Sequence, residues 1–220
     1  MSNSDSFIEE VTEEVRREKL YGYLRRYGWI GIVLVLLVVG GAAFNEYRKA
    51  SARAQAQAFG DALFAAIEET DKETRLAALQ SVQAPESGLS IARLLTSVEA
   101  ASDGDGAANL DAARAGLEAL AADSNSPDIY RDMARLRLLF LGDTVAKEDR
   151  LALIGALDVG GRPFRLLARE QHALILISDG ATDDALEKLQ SIIRDAETSQ
   201  GQRQRATQLV VALGAEPDEG

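Results

Sequence analysis

Between Gly28 and Phe44 the chain runs through 17 uncharged residues, GWIGIVLVLLVVGGAAF, and no other stretch is comparably apolar. At 1.5 Å per residue, about 20 residues of helix span the roughly 30 Å hydrocarbon core of a bilayer. The Val/Leu/Ile block from Ile30 to Val39 is apolar on all sides of a helix, which fits lipid better than a one-sided protein core. The run predicts a transmembrane helix over residues 27–47.

The flanks point the same way. Trp29 is the only tryptophan, and four of the five tyrosines (Tyr21, Tyr23, Tyr27 and Tyr47) lie close to the run. Aromatic rings with a polar edge prefer the headgroup level. Arg25 and Arg26 precede the run; Arg48 and Lys49 follow it, where long cationic side chains can reach lipid phosphates. The expected membrane-interface residues are therefore Tyr27, Trp29, Tyr47, Arg25, Arg26, Arg48 and Lys49. The lipid bilayer is the first expected partner.

A cleaved signal peptide is the rival reading, because Gly40-Gly41-Ala42-Ala43 offers small residues of the kind a signal peptidase accepts. The leader argues against it: 27 residues that include Glu9, Glu10, Glu13, Glu14 and Glu18 do not resemble a short basic n-region. An uncleaved signal-anchor is expected. The same small residues would also let another membrane helix approach closely, or simply face lipid. Five basic residues stand before the run (Arg16, Arg17, Lys19, Arg25, Arg26) and three after it (Arg48, Lys49, Arg53). By the positive-inside rule this bias puts the N-terminus in the cytoplasm. The charged segment 1–26 reads either as an amphipathic helix at the cytoplasmic surface or as a disordered tail with a helical end.

Beyond the anchor the chain predicts helix throughout. Only four prolines occur, none before Pro85, and no period-two apolar run suggests a strand. Ala52, Ala56, Phe59, Leu63 and Ile67 follow i+3/i+4 steps, so the anchor is expected to continue into the first helix of the following domain and end near Thr70-Asp71. Further helices are expected with buried stripes at Leu76/Leu79, at Leu89/Ala92/Leu95/Val98, and at Leu110/Ala113/Leu117/Leu120. Asn109, Ser126 and Thr182 read as N-caps, and Pro127 as a first helical residue. Gly142, Gly160-Gly161, Gly180 and Gly214 read as stops, as does Asp103-Gly104-Asp105-Gly106.

These helices have repeat-like spacing. Ala134 and Ala168 align at 34 residues, the tetratricopeptide period, and Ala92 lies 42 residues before Ala134. The expected fold is all-α: one N-terminal transmembrane helix followed by a tetratricopeptide-like array over 48–214 and a disordered tail over 215–220. An irregular α-bundle is the other reading.

Composition narrows the chemistry. There is no cysteine, which removes disulfides, thiolate metal sites and thiol nucleophiles. His172 is the only histidine, and no serine near it has a catalytic context. Asp103-Gly104-Asp105-Gly106 lacks the ligand spacing and closing glutamate of a calcium loop. We expect no catalytic residue, no cofactor and no metal. The formal net charge of −11 opposes nucleic-acid binding. Outside residues 1–28, 29 acids face 19 bases; the excess reads either as a solubilising surface or as a groove for basic partners.

The layout, a charged leader followed by YGWIGIVLVLLVVGGAAFNEYRKASARAQAQAFGDAL and weak helical repeats, resembles the YfgM-like ancillary subunits of the SecYEG translocon. The resemblance covers nearly the whole chain and rests on layout, without a diagnostic motif. It implies a single-pass bacterial inner-membrane protein with a periplasmic tetratricopeptide-like domain. It implies as partners the translocon, periplasmic chaperones and emerging polypeptides. An accessory or assembly subunit of another inner-membrane complex, such as a respiratory one, would share the layout.

Overall fold

The computed structural model describes residues 3–102 and 108–218, with side chains from Arg25 onward. Among these residues there are nine α-helices, two short 3-10 turns and no strand, so the chain is all-helical as expected. The stop expected at Asp103-Gly104-Asp105-Gly106 lies outside the described residues. The chain divides into two compact units, residues 1–57 and 58–220.

Among its described residues the first unit is one helix. Helix α1 runs from Asn3 to Ile67, and its last ten residues count with the second unit. No proline interrupts it, and Gly28, Gly31, Gly40 and Gly41 each face open space. A glycine costs a helix about 1 kcal/mol relative to alanine, too little to break one this long.

The second unit opens with residues 58–67 of α1. It continues through α2 (Lys72–Ser81), α3 (Leu89–Ala101), α4 (Leu110–Ala122), α5 (Asp128–Phe140), α6 (Lys147–Leu157), α7 (Arg165–Ser178), α8 (Thr182–Arg194) and α9 (Gln200–Ala212). From α2 to α9 each helix packs on the next; α3 also touches α5, and α5 touches α7. The even helices bury one common pattern. Ala113, Leu117 and Leu120 of α4 match Ala185, Leu189 and Ile192 of α8 at the same offsets, and Ile154 and Leu157 of α6 match their last two members. All are at most 3% exposed. Ala134 and Ala168, aligned at 34 residues, are both fully buried, where a larger side chain would force their helices apart.

Several details differ from the sequence expectation. The α1 stripe is buried only at its end: Leu63 and Ala66 are buried with Phe59 packed beside them, whereas Ala52, Ala56 and Ile67 are exposed. Helix α1 ends at Ile67, short of Thr70. On α3 the most buried residues are Ser90, Ser97 and Ala100, while Leu89 is exposed. Small residues occupy this face because α4 comes close: a Cβ on Gly116 would lie 2.3 Å from Ser97 Oγ. Asn109 caps α4, accepting from Ala112 N at 3.0 Å. Thr182, by contrast, is the first residue of α8, and Pro127 is the cap of α5. Ser126 is buried and bonds Ser90 at 2.9 Å, a tertiary contact rather than a cap.

The stops at Gly180 and Gly214 are explained by backbone geometry. Their φ values of 74° and 83° lie in the left-handed region that closes a helix and that side chains disfavour. Contacts also reach past Gly214: Ala215 packs against the α8–α9 core, and an Asp218 carboxylate oxygen lies 3.1 Å from Arg194.

Candidate membrane anchor and interaction surface

Helix α1 is long and apolar enough to cross a membrane, and its apolar run is exposed along its length. Leu34, Leu36, Leu37 and Val38 are each at least 60% exposed. Such a surface in water would expose far more contiguous apolar area than soluble proteins tolerate. The helix places Tyr27 and Tyr47 about 30 Å apart along its axis, the thickness of a hydrocarbon core. Tyr27, Trp29 and Tyr47 are 50%, 63% and 73% exposed, and Arg25, Arg26, Arg48 and Lys49 project from the same ends. Arg26 stacks over the Tyr27 ring at 5.9 Å. The residues expected at the membrane interface thus stand exposed in two groups, 25–29 and 47–49, on one helix.

The charges of the second unit are organised in a way that sequence reading missed. Helices α4, α6 and α8 each end at an aspartate C-cap: Asp123, Asp158 and Asp195. A carboxylate there faces the negative end of the helix dipole and needs a counter-charge. An arginine from an odd helix supplies it each time. Arg93 meets Asp123 at 2.6 Å, Arg169 meets Asp158 at 2.7 Å, and Arg165 grips Asp195 with two bonds of 2.7 and 2.8 Å. The Arg165 guanidinium and the Glu197 N–H hold the Asp195 carboxyl down to about 2. For Asp123 the Asn125 N–H is the main cause of a lowered pKa, with Ser126 and Arg93 adding to it. The aspartates recur at 35 and 37 residues, a spacing visible in the sequence but with no meaning until the helix ends are known.

Two further carboxylates are buried. Asp132 lies between Arg135 at 2.7 Å and Arg162 at 2.6 Å. Glu170 accepts from Arg205 at 2.7 and 2.8 Å and from Gln202 at 3.1 Å, tying α7 to α9. Each is paired, as a charge removed from water must be. His172 is half-buried on α7; burial, and then Lys188, pushes its pKa below the ordinary histidine value.

Two of the open cavities in the second unit lie between helices. One of about 440 Å³ lies between α2, α3 and α4, walled by Leu76, Leu79, Ala92, Ala112 and Gly116. The other, about 290 Å³, lies between α5, α6 and α7 beside the exposed side chains of Phe140 and Leu174. No cluster of histidine, aspartate and glutamate among the described residues has the arrangement of a metal site. No family model, no curated protein and no solved structure matches the chain.

Proposed function

We propose that this chain is a non-enzymatic, membrane-anchored interaction protein, an ancillary subunit of a bacterial protein-translocation machinery. In this reading α1 spans the inner membrane with its N-terminus in the cytoplasm. The helical domain lies in the periplasm, linking a SecYEG-like translocon to chaperones or emerging polypeptides. The observation that carries the reading is α1 itself. Its uncharged run is exposed and bounded by aromatic and basic belts, yet the same helix ends in the buried Leu63 and Ala66 of a helical core.

A tetratricopeptide-like array is the architecture we assign to the second unit. Support comes from the shared offsets of the even helices, the α3–α5 and α5–α7 contacts, the paired Ala134 and Ala168, and the recurring Asp C-caps. Such arrays present extended surfaces for protein partners.

Photo-crosslinking from residues 47–67 and from the array in intact cells tests the partner assignment. Adducts with translocon subunits, chaperones or secretory chains are the expected result; adducts only with another inner-membrane complex would overturn it. A dual reporter fused after Gly220 tests the topology, and cytoplasmic reporter activity would refute the periplasmic placement.

A further inference from the structure

Ala92 aligns in sequence with Ala134 and Ala168, each followed by an arginine. The two later alanines are fully buried. Ala92 is only half-buried, and it lines the open cavity of about 440 Å³ between α2, α3 and α4. That volume falls within the range of about 300–1,000 Å³ typical of ligand sites. Helix α3 packs on both α2 and α4, whereas α2 and α4 do not pack closely on each other over it.

The lining differs from the rest of this acidic chain. Helix α4 gives it Ala112, Gly116 and Ala119, where α8 carries Asp184, Lys188 and Ser191 at the same offsets. A helix face that meets only water is ordinarily polar or charged. Leu76 and Leu79 of α2 add apolar surface opposite. Among the described lining residues none is acidic, and Arg93, the one charged residue, is answered by Asp123 at 2.6 Å. Three uncharged polar groups there lack bonds. Ser97 is 4% exposed, and its hydroxyl makes no hydrogen bond among the described residues. A closed core would satisfy such a group. The Asn109 side-chain oxygen caps α4, and its amide nitrogen makes no bond among the described residues. Neither does the Gln80 carboxamide.

We propose that the cavity between α2, α3 and α4 docks an extended, uncharged apolar segment of a partner polypeptide. The segment's apolar side chains pack between Leu76 and Leu79 on one wall and the small residues of α4 on the other. Its backbone amides bond the Ser97 hydroxyl and the Asn109 and Gln80 carboxamides. A charged segment would give up its hydration to a lining that offers no free counter-charge. An extended backbone needs outside hydrogen-bond partners, whereas a helix satisfies its own and an acyl chain has none to satisfy. The site rests on the reading of the chain as an interaction protein and gives that reading a ligand chemistry.

The test uses the full chain in lipid nanodiscs, with empty nanodiscs as the blank, and short fluorescein-labelled peptides of valine, leucine and serine, followed by anisotropy. Matched peptides carry glutamate or lysine at the central position. The uncharged peptide is expected to bind at least about tenfold more tightly than either, since an unpaired charge would have to enter the cavity. Ala119→Glu is expected to weaken it by about tenfold or more and to favour the lysine peptide over the glutamate one. Ser97→Ala is expected to weaken it by about two- to tenfold, one hydrogen bond. Ala115→Glu, exposed on α4 and outside the lining, leaves binding unchanged. Ala115 and Ala119 are exposed and the Ser97 hydroxyl has no bond to lose, so helicity and Tm should match the parent protein and report folding independently. Equal binding of the three peptides, no binding of any, or indifference to Ala119→Glu or to Ser97→Ala overturns the site. Saturable binding of a fluorescent fatty acid in place of the peptides, or self-association of the chain that Ala119→Glu abolishes, overturns it as well. If topology and crosslinks stand while the peptides fail, the site alone is wrong; if the crosslinks fail as well, the interaction-protein reading falls with it.

Discussion

Leu117, Ile154 and Leu189 each stand seven residues after the first residue of α4, α6 and α8, and are 1%, 3% and 0% exposed. If they are equivalent core positions of one array, truncating each to alanine should cost a similar amount. For Leu117→Ala three carbons leave the core, about 2.4 kcal/mol at roughly 0.8 kcal/mol each. The site is walled by Leu120, Ala134, Leu138 and Val145, most of them from outside α4, so collapse is only partial. A residual void of about 50 Å³ adds about 1.2 kcal/mol at roughly 24 cal/mol per Å³. The expected loss is about 3–4 kcal/mol, against total stabilities of about 5–15 kcal/mol for single domains. Urea unfolding in mild detergent, followed by far-UV circular dichroism, reads this as a midpoint lowered by about 2 M when m is about 2 kcal/mol/M. Leu151→Ala, at a position 38% exposed on α6, is the control and should cost about 1 kcal/mol or less. A Leu117→Ala midpoint no lower than that of Leu151→Ala would refute the assignment of Leu117 to a shared core.

Gly180→Ala should lose about 1–2 kcal/mol of stability in the same assay, because its φ of 74° is left-handed. Gly155→Ala, inside α6 with open space around it, should instead gain about 0.5–1 kcal/mol. Asp132→Asn should cost about 3 kcal/mol in thermal unfolding, the low end for breaking a buried pair, since its arginine partners are partly exposed. Asp195 gives a pH signature. Its folded pKa of about 2 lies below the ordinary 3.8, so its stabilisation is complete above about pH 4 and is lost as pH falls through about 2. Asp195→Asn should therefore be less stable than the parent at neutral pH, with the gap closing on acidification.

Much of the helical outline is legible in the residues. The glycine stops at 142, 161, 180 and 214 coincide with left-handed glycines, and Asn109 caps α4, because these are local properties of a few adjacent residues. The α4 stripe is legible for the same reason, a strong period of large side chains. The α3 face is not, since Ser97 sits where Gly116 of α4 leaves no room for a Cβ, and a pattern of large apolar residues cannot reveal an interface built from small ones. Ser126 and Thr182 read as caps by residue type alone. Ser126 is drawn instead into a tertiary bond with Ser90. Of the candidate site, the helix long and apolar enough to cross a membrane is legible in the run of residues itself. The α5–α6–α7 cavity is not, because its walls come from three helices whose packing no local pattern encodes.

By itself the sequence determined that one helix has an exposed apolar surface of membrane length, because that property needs only a run of side chains and the rise of a helix. It also determined that the remainder is helical. Tertiary structure alone decided where the charges go. Arg165 and Asp195 are 30 residues apart, and so are Arg93 and Asp123; only the stacking of helices brings each pair within 3 Å. The same stacking leaves Arg137 without a partner among the described residues. A charge that reads as surface in the sequence becomes an internal bond or stays in water according to what the fold sets beside it.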